Sequence, residues 1–186
     1  YKGVFNIPHP GSINVLSKAV KAMGANLGVA FSADASHIFV VDEQGIPLEP
    51  EELFVLLARF NASEAVITTT STSQLIEKSL EPLGFKIYRV EYTPDSVSRS
   101  LRRKRVAFGG TDCGEYIFSG FTYSPDGILS LLKILELISK IDKQLSELRK
   151  EIRKPRRYSL PIEIEKMNAY NALYKLVRNR ELDDAI

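Results

Sequence analysis

Apolar runs alternate along the chain with stretches whose apolar residues recur every three or four positions, and this divides the sequence into strands and helices. Residues 12–23 place Ile13, Leu16, Val20 and Met23 at helical spacing, and Gly24 ends that helix. Residues 27–31 and 38–41 are short and almost wholly apolar, the pattern of strands buried on both faces. Between them lies a short polar loop, and Asp42-Glu43-Gln44-Gly45 after them is turn chemistry. Pro50, Glu51 and Glu52 open a helix that carries Leu53, Leu56, Leu57 and Phe60.

The alternation continues with a β-branched strand over 65–69, a helix over 72–83 stopped by Gly84, and a strand over 85–90. Residues 94–104 predict a basic helix. Residues 106–108 and 116–118 predict strands on either side of a glycine-bearing loop. An amphipathic helix follows over 126–141, capped by Asp126, and a shorter one over 145–152. Residues 153–157 read as a linker around Pro155, and 162–178 as a last helix. Strand and helix in succession give an α/β class, with mainly parallel mixed sheets and flanking helices.

Composition narrows the function classes. With 186 residues, 44% of them hydrophobic and 26% charged, the chain can bury one large core or two small ones. The most apolar helix is interrupted by Lys133 and Glu136, so it is a core helix and no membrane span is expected. Without a secretory leader pattern, the expectation is cytoplasmic, and the start at Tyr1 reads as an excerpted chain. Cys113 is the single cysteine and His9 and His37 are the only histidines, which excludes an internal disulfide and any Cys/His zinc spacing. Arg99, Arg102, Arg103, Lys104 and Arg105 form a basic cluster that could meet a phosphosugar or a neighbouring domain. No aromatic residues interleave with it and the net charge is only +2, so nucleic acid is not the favoured partner.

The polar loop Ser32-Ala33-Asp34-Ala35-Ser36-His37 carries the most chemistry. Mg²⁺ wants an octahedron of hard oxygens and sheds water reluctantly. Side chains at i, i+2 and i+4 around such a loop could surround it, but Ser32, Asp34 and Ser36 bring one negative charge. Asp34 is therefore a candidate ligand with Ser32 and Ser36, for Mg²⁺ held weakly or not at all. It also reads as a local turn residue.

The frame GANLGVAFSADASHIFVVDEQG resembles the metal loop of the α-D-phosphohexomutases, the phosphomannomutases, phosphoglucomutases and phosphoglucosamine mutases. Their pattern runs Gly-Ala-Asp-Leu-Gly-Ile-Ala-Phe-Asp-Gly-Asp-Ala-Asp-Arg, then apolar residues and Asp-Glu-x-Gly. Asp34 matches the middle aspartate, Ser32 and Ser36 stand at the outer two, and His37 stands at the arginine. A second stretch, Phe108-Gly109-Gly110-Thr111-Asp112-Cys113-Gly114-Glu115-Tyr116-Ile117-Phe118, is similar to the family's sugar-contacting loop Phe-Gly-Gly-Glu-x-Ser-Gly-His/Thr-x-Ile-Phe. Asp126-Gly127-Ile128 and Leu145-Ser146-Glu147-Leu148 follow in the family's order. The family's Val-Gly-Asp/Asn loop aligns with Tyr92-Thr93-Pro94.

The resemblance implies three segments: 1–50 as the second half of a domain-2-like unit, 51–154 as a domain-3-like unit, and 155–186 as linker and terminal helix. It implies Thr111, Asp112, Cys113 and Glu115 as candidates for sugar contact, and Arg99, Arg102 and Arg103 as candidates for phosphate or partner contact. The family's catalytic serine loop and phosphate-binding loop have no match here. The expectation is thus a phosphomannomutase/phosphoglucomutase-like fragment or truncated paralogue without mutase activity of its own, binding a hexose phosphate or a second protein chain. The alternatives are the middle domains of an active Mg²⁺-dependent mutase, and nucleic-acid binding through residues 99–105.

Overall fold

Helix α1 (Pro10–Met23) lies against a hairpin of β1 (Leu27–Phe31) and β2 (Ile38–Asp42), paired antiparallel with Phe31 opposite Ile38. The computed structural model describes residues 8, 10–62, 64–93 and 95–152, all within the unit Tyr1–Pro155. The expected linker over 153–157 and the helix over 162–178 lie outside the described residues. Strand β2 is buried at four of its five positions, whereas β1 is mostly half-buried. The expectation of two doubly buried strands is met by β2 and fails for β1, where Leu27, Val29, Ala30 and Phe31 keep part of their surface exposed.

Helix α2 (Pro50–Asn61) crosses to the second sheet. There β3 (Ala65–Thr69), α3 (Leu75–Leu80, continued as a 3₁₀ turn over Glu81–Leu83), β4 (Lys86–Val90), α4 (Ser96–Lys104), β5 (Phe108–Gly110) and β6 (Tyr116–Phe118) follow in chain order. The sheet order is β4-β3-β5-β6, with β3 parallel to β4 and β5, and β6 antiparallel to β5. Helices α5 (Gly127–Ile141) and α6 (Leu145–Lys150) complete the described chain. The class is α/β with a mixed sheet and flanking helices.

Among the boundaries that differ from the expectation, two have clear local reasons. Helix α3 begins at Leu75 because the hydroxyls before it bond the turn: Thr72 donates to the Thr69 carbonyl, and Ser73 accepts from the Leu75 N–H. Strand β5 starts at Phe108, two residues later than the apolar run suggests. Arg105 at φ 54° ends α4 and turns the Val106 N–H back to the Leu101 carbonyl, so Val106 closes the helix and stays buried.

The core occupies both faces of the four-stranded sheet. Val66, Phe108, Tyr116 and Phe118 pack with α2, α3, α5 and α6 on one side, and Ile67 and Ile117 pack with Val97 and Leu101 of α4 on the other. Phe108 sits between Phe54 and Phe118 with ring centroids 5.0 and 5.2 Å away. Such ring pairs add about 0.5–1.5 kcal/mol each beyond the area they bury. Asp126 caps α5 by accepting the Leu129 N–H at 2.8 Å, as the sequence predicts.

Candidate functional site

Sheet connectivity defines where a ligand should sit. The chain leaves β3 through α3 to β4 on one side, then returns across β3 through α4 to β5 on the other. The loops after β3 and β5 therefore diverge at the strands' carboxyl ends, the usual ligand crevice of an open α/β sheet. Ser71 of the first loop donates to Asp112 of the second at 2.9 Å, across that divide. A cleft of about 290 Å³ opens beside it, lined among others by His37, Tyr92, Thr111 and Glu115.

The β1–β2 loop is fastened to this crevice by its backbone. The Ile38 N–H donates to the Gly114 carbonyl at 3.0 Å, and the Gly127 N–H to the Ala35 carbonyl at 2.8 Å. Gly114 sits at φ 91°, and a β-carbon there would lie 2.7 Å from the Ile38 carbonyl oxygen. Only glycine allows that approach. The two stretches that the sequence singled out, far apart in the chain, thus meet at one place.

Within the loop the side chains satisfy one another. Asp34 Oδ1 accepts from the Ser32 hydroxyl at 2.7 Å, the Ser36 hydroxyl at 2.8 Å and the Ser36 N–H at 3.1 Å. These bonds, the Ser32 hydroxyl foremost, hold the Asp34 carboxyl well below the ordinary carboxylate range. The Ser36 hydroxyl and His37 Nδ1 share a hydrogen bond at 2.7 Å, and His37 Nε2 lies 3.6 Å from Glu115 Oε1. Among the described residues no group of three or more His, Cys, Asp or Glu is placed to hold a metal.

On the opposite wall the Thr111 hydroxyl donates to Glu115 Oε2 at 3.2 Å and accepts from the Cys113 N–H. The Cys113 thiol lies 3.7 Å from both the Tyr92 hydroxyl and Asp112 Oδ1. Burial pushes this thiol up; the Tyr92 bond opposes it, but the charges of Asp112 and Glu115 add to the rise. A thiol kept protonated is a poor nucleophile. The Tyr92 phenol is pushed up to about 12 by its bond to Cys113, by burial and by the nearby negative charges.

The structure brings Ser32, Asp34, Ser36, Thr111, Asp112, Cys113 and Glu115 to one region, and adds His37 and Tyr92. Tyr92 was missed as a site residue, although its alignment with the family's Val-Gly-Asp/Asn loop signalled the place. The arginines lie elsewhere. Arg102 stacks on Tyr123 at 4.4 Å from the ring centroid, Arg99 pairs with Asp95 at 3.1 Å, and neither they nor Arg103 line the cleft. Thr68 and Thr69 end β3, and residues 70–73 form the turn that leads to α3. Ser73 binds the buried Glu51 carboxylate, and Arg89 holds the Thr69, Thr72 and Ser73 carbonyls.

A crevice at the sheet's switch point, bordered by a hairpin loop from a second sheet, defines an α/β unit of mixed-sheet type. The chain belongs to the phosphoglucomutase/phosphomannomutase family: residues 49–155 match its alpha/beta/alpha domain III. A probable phosphoglucosamine mutase of Methanocella arvoryzae is 35% identical over 133 residues, 72% of this chain and 30% of that protein. A phosphoglucomutase/phosphomannomutase of Thermococcus kodakarensis is 33% identical over 79% of this chain and 34% of that protein. The crystal structure of a phosphoglucomutase/phosphomannomutase family protein from Burkholderia thailandensis superposes with a TM-score of 0.70 at 20% identity. It covers 82% of this chain and 34% of that one. The chain spans about a third of the length of the curated relatives it matches. No helix among the described residues is long and apolar enough to cross a membrane.

Proposed function

We propose that this chain is a binding unit of hexose-phosphate metabolism: its cleft takes the hydroxyl-bearing ring of a hexose or hexose phosphate, and the chain by itself transfers no phosphoryl group. The convergence of Thr111, Glu115 and His37 on one cleft carries this reading. A carboxylate, a hydroxyl and an imidazole offer both acceptors and donors to sugar hydroxyls, while the apolar wall excludes water.

Mg²⁺ has little part in it. The loop offers one carboxylate, and that carboxylate already accepts three hydrogen bonds from Ser32 and Ser36. All three bonds end on Oδ1, so the loop offers an ion Oδ2 as its charged ligand, and the ion would shed its own water for a single charge. The donor set does not fit, and no step is routed through the metal.

Calorimetric titration with glucose 1-phosphate and mannose 1-phosphate, with and without millimolar Mg²⁺, tests the reading. The expected result is saturable binding that Mg²⁺ leaves unchanged and that Thr111→Ala with Glu115→Ala weakens at least tenfold. Absence of binding overturns it. Binding that Mg²⁺ strengthens makes Asp34 a metal ligand after all.

Length supports a second reading. The relatives are about three times as long as their matched part, so these residues can be the central portion of an active, Mg²⁺-dependent mutase. A parent gene encoding a serine loop before this segment and a phosphate-binding loop after it, with mutase activity in its full product, favours that reading.

A further inference from the structure

Helix α5 is apolar on more sides than the fold uses. Nine of its fifteen residues are Ile or Leu. Ser130, Ile134 and Leu137 are buried, yet Ile128, Leu132 and Leu135 stay 57, 56 and 45% exposed. Their spacing of four and three sets them in one straight stripe along the helix, and the exposed Ser139 continues it. A helix that is apolar all round is normally covered on every side.

The two borders of the stripe differ in chemistry. Helical geometry puts the half-buried Leu131 and Ile138 along one border, and Leu129, Lys133, Glu136 and Lys140 along the other. The charges of that second border are paired with each other: Glu136 accepts from Lys133 at 2.9 Å and from Lys140 at 2.7 Å. Its one excess positive charge sits at an exposed rim, where repulsion is screened and small. Phe121, 69% exposed, lies 5.1 Å from Lys133 Nζ and extends the apolar surface past this border.

Two copies of this surface fit each other in one direction. A twofold axis across the helices sets them antiparallel and brings each border against its own copy. Leu131 then meets the partner's Ile138, and the charged border meets a charged border at the rim. Parallel helices would instead set Leu131 and Ile138 against the partner's charged border, leaving ions beside leucine. In the antiparallel register Leu132 lies opposite the partner's Leu135, and Ile128 opposite the partner's Ser139.

The area agrees with a modest interface. The exposed parts of Ile128, Leu132, Leu135 and Phe121 sum to roughly 400 Å², as large as the patches that mark contact sites on single proteins. Two such patches with their borders come to about 1,200 Å², the low end of specific interfaces.

We propose that the outer face of α5 is a self-association surface, on which two copies of this chain pair antiparallel through Ile128, Leu132 and Leu135. The pairing does not depend on what the cleft binds.

Sedimentation velocity on the full chain between about 1 µM and about 1 mM tests it. The variants are Leu132→Glu and Leu135→Lys, alone and mixed in equal amounts. Melting curves first verify that both fold, which the half-exposure of these leucines favours. The parent is expected to pass from monomer to dimer and no further, because a twofold contact closes. Each variant alone should associate at least tenfold more weakly, since it sets an unpaired charge against leucine. The mixture should recover to within threefold of the parent, because the new carboxylate of one chain then faces the new ammonium of the other. A parent that stays monomeric throughout overturns the proposal and leaves the stripe to a different occupant. Dimers that both variants leave intact overturn it too, by placing the contact elsewhere. If the variants are monomeric and their mixture stays so, the antiparallel register is overturned.

Discussion

Gly114 joins the two functional loops through one residue's stereochemistry. Its φ of 91° and the 2.7 Å approach of a would-be β-carbon to the Ile38 carbonyl leave no room for a side chain. Gly114→Ala must accept left-handed strain, about 1–2 kcal/mol, and also push the β1–β2 loop away from Glu115. We expect urea denaturation to register a loss of about 2–3 kcal/mol for Gly114→Ala. Gly120 has no neighbour within 4 Å of its would-be β-carbon, and Gly120→Ala is expected to stay within about 0.5 kcal/mol of the parent. Equal effects at the two positions would remove Gly114 from this role. The sequence showed Gly114 as part of a family pattern, but the reason for it lies in a carbonyl 76 positions earlier in the chain. Only the tertiary fold supplies that partner.

At the scale of elements, the turn from β3 into α3 is held by a side chain from neighbouring β4. Arg89 Nη1 donates to the Thr69 and Thr72 carbonyls at 3.0 and 2.8 Å, Nη2 donates to the Ser73 carbonyl, and both Nε and Nη2 bond Glu77. Partial burial works against the Glu77 charge, but the Arg89 hydrogen bonds and charge outweigh it and keep that carboxyl below its ordinary value. Arg89→Met strands three carbonyls and a carboxylate, for an expected loss of about 2–3 kcal/mol. Arg89→Lys should recover less than half, because one ammonium cannot reach what a planar fork reaches. An NMR titration should show the Glu77 carboxyl rising in Arg89→Met. No rise would mean that the clamp is not what holds it down. Elements of this kind were legible where apolar periodicity decided them: Leu27–Phe31, Ala65–Thr69 and Tyr116–Phe118 agree with the pattern residue for residue. The start of α3 and the onset of β5 were not, because hydroxyl-to-backbone bonds at Thr72 and Ser73 and the left-handed Arg105 override the pattern locally. The basic helix was legible as charge, but its rings were not. Arg102 on Tyr123 and Lys104 on Tyr88 depend on partners from other elements.

For the whole unit, titratable groups with opposite displacements set the pH range of stability. The Asp34, Glu43 and Glu77 carboxyls all lie below their ordinary values in the folded state. At Asp34 the Ser32 and Ser36 bonds do this; at Glu43 and Glu77 burial opposes the shift, but hydrogen bonds from Ser146 and Arg89 prevail. A carboxyl depressed by folding contributes stability above its unfolded pKa of about 4, and that contribution is lost as pH falls below it. On the alkaline side, burial raises the Cys113 thiol, the Cys113 bond raises the Tyr92 phenol to about 12, and burial raises the Tyr116 phenol well above its usual value. The unfolded chain releases the thiol proton near about pH 8.5 and the phenol protons near about pH 10, while the folded chain still holds them. Stability therefore falls as pH rises past those points. The expected urea midpoint is flat between about pH 5 and about pH 8.5 and declines on both sides. Cys113→Ser removes the first alkaline group and should move that onset to about pH 10, where Tyr92 and Tyr116 take over. An onset that stays near 8.5 in Cys113→Ser would mean that the thiol sits in an environment no different from water. The packing of Cys113 between Tyr92 and Asp112 would then be wrong.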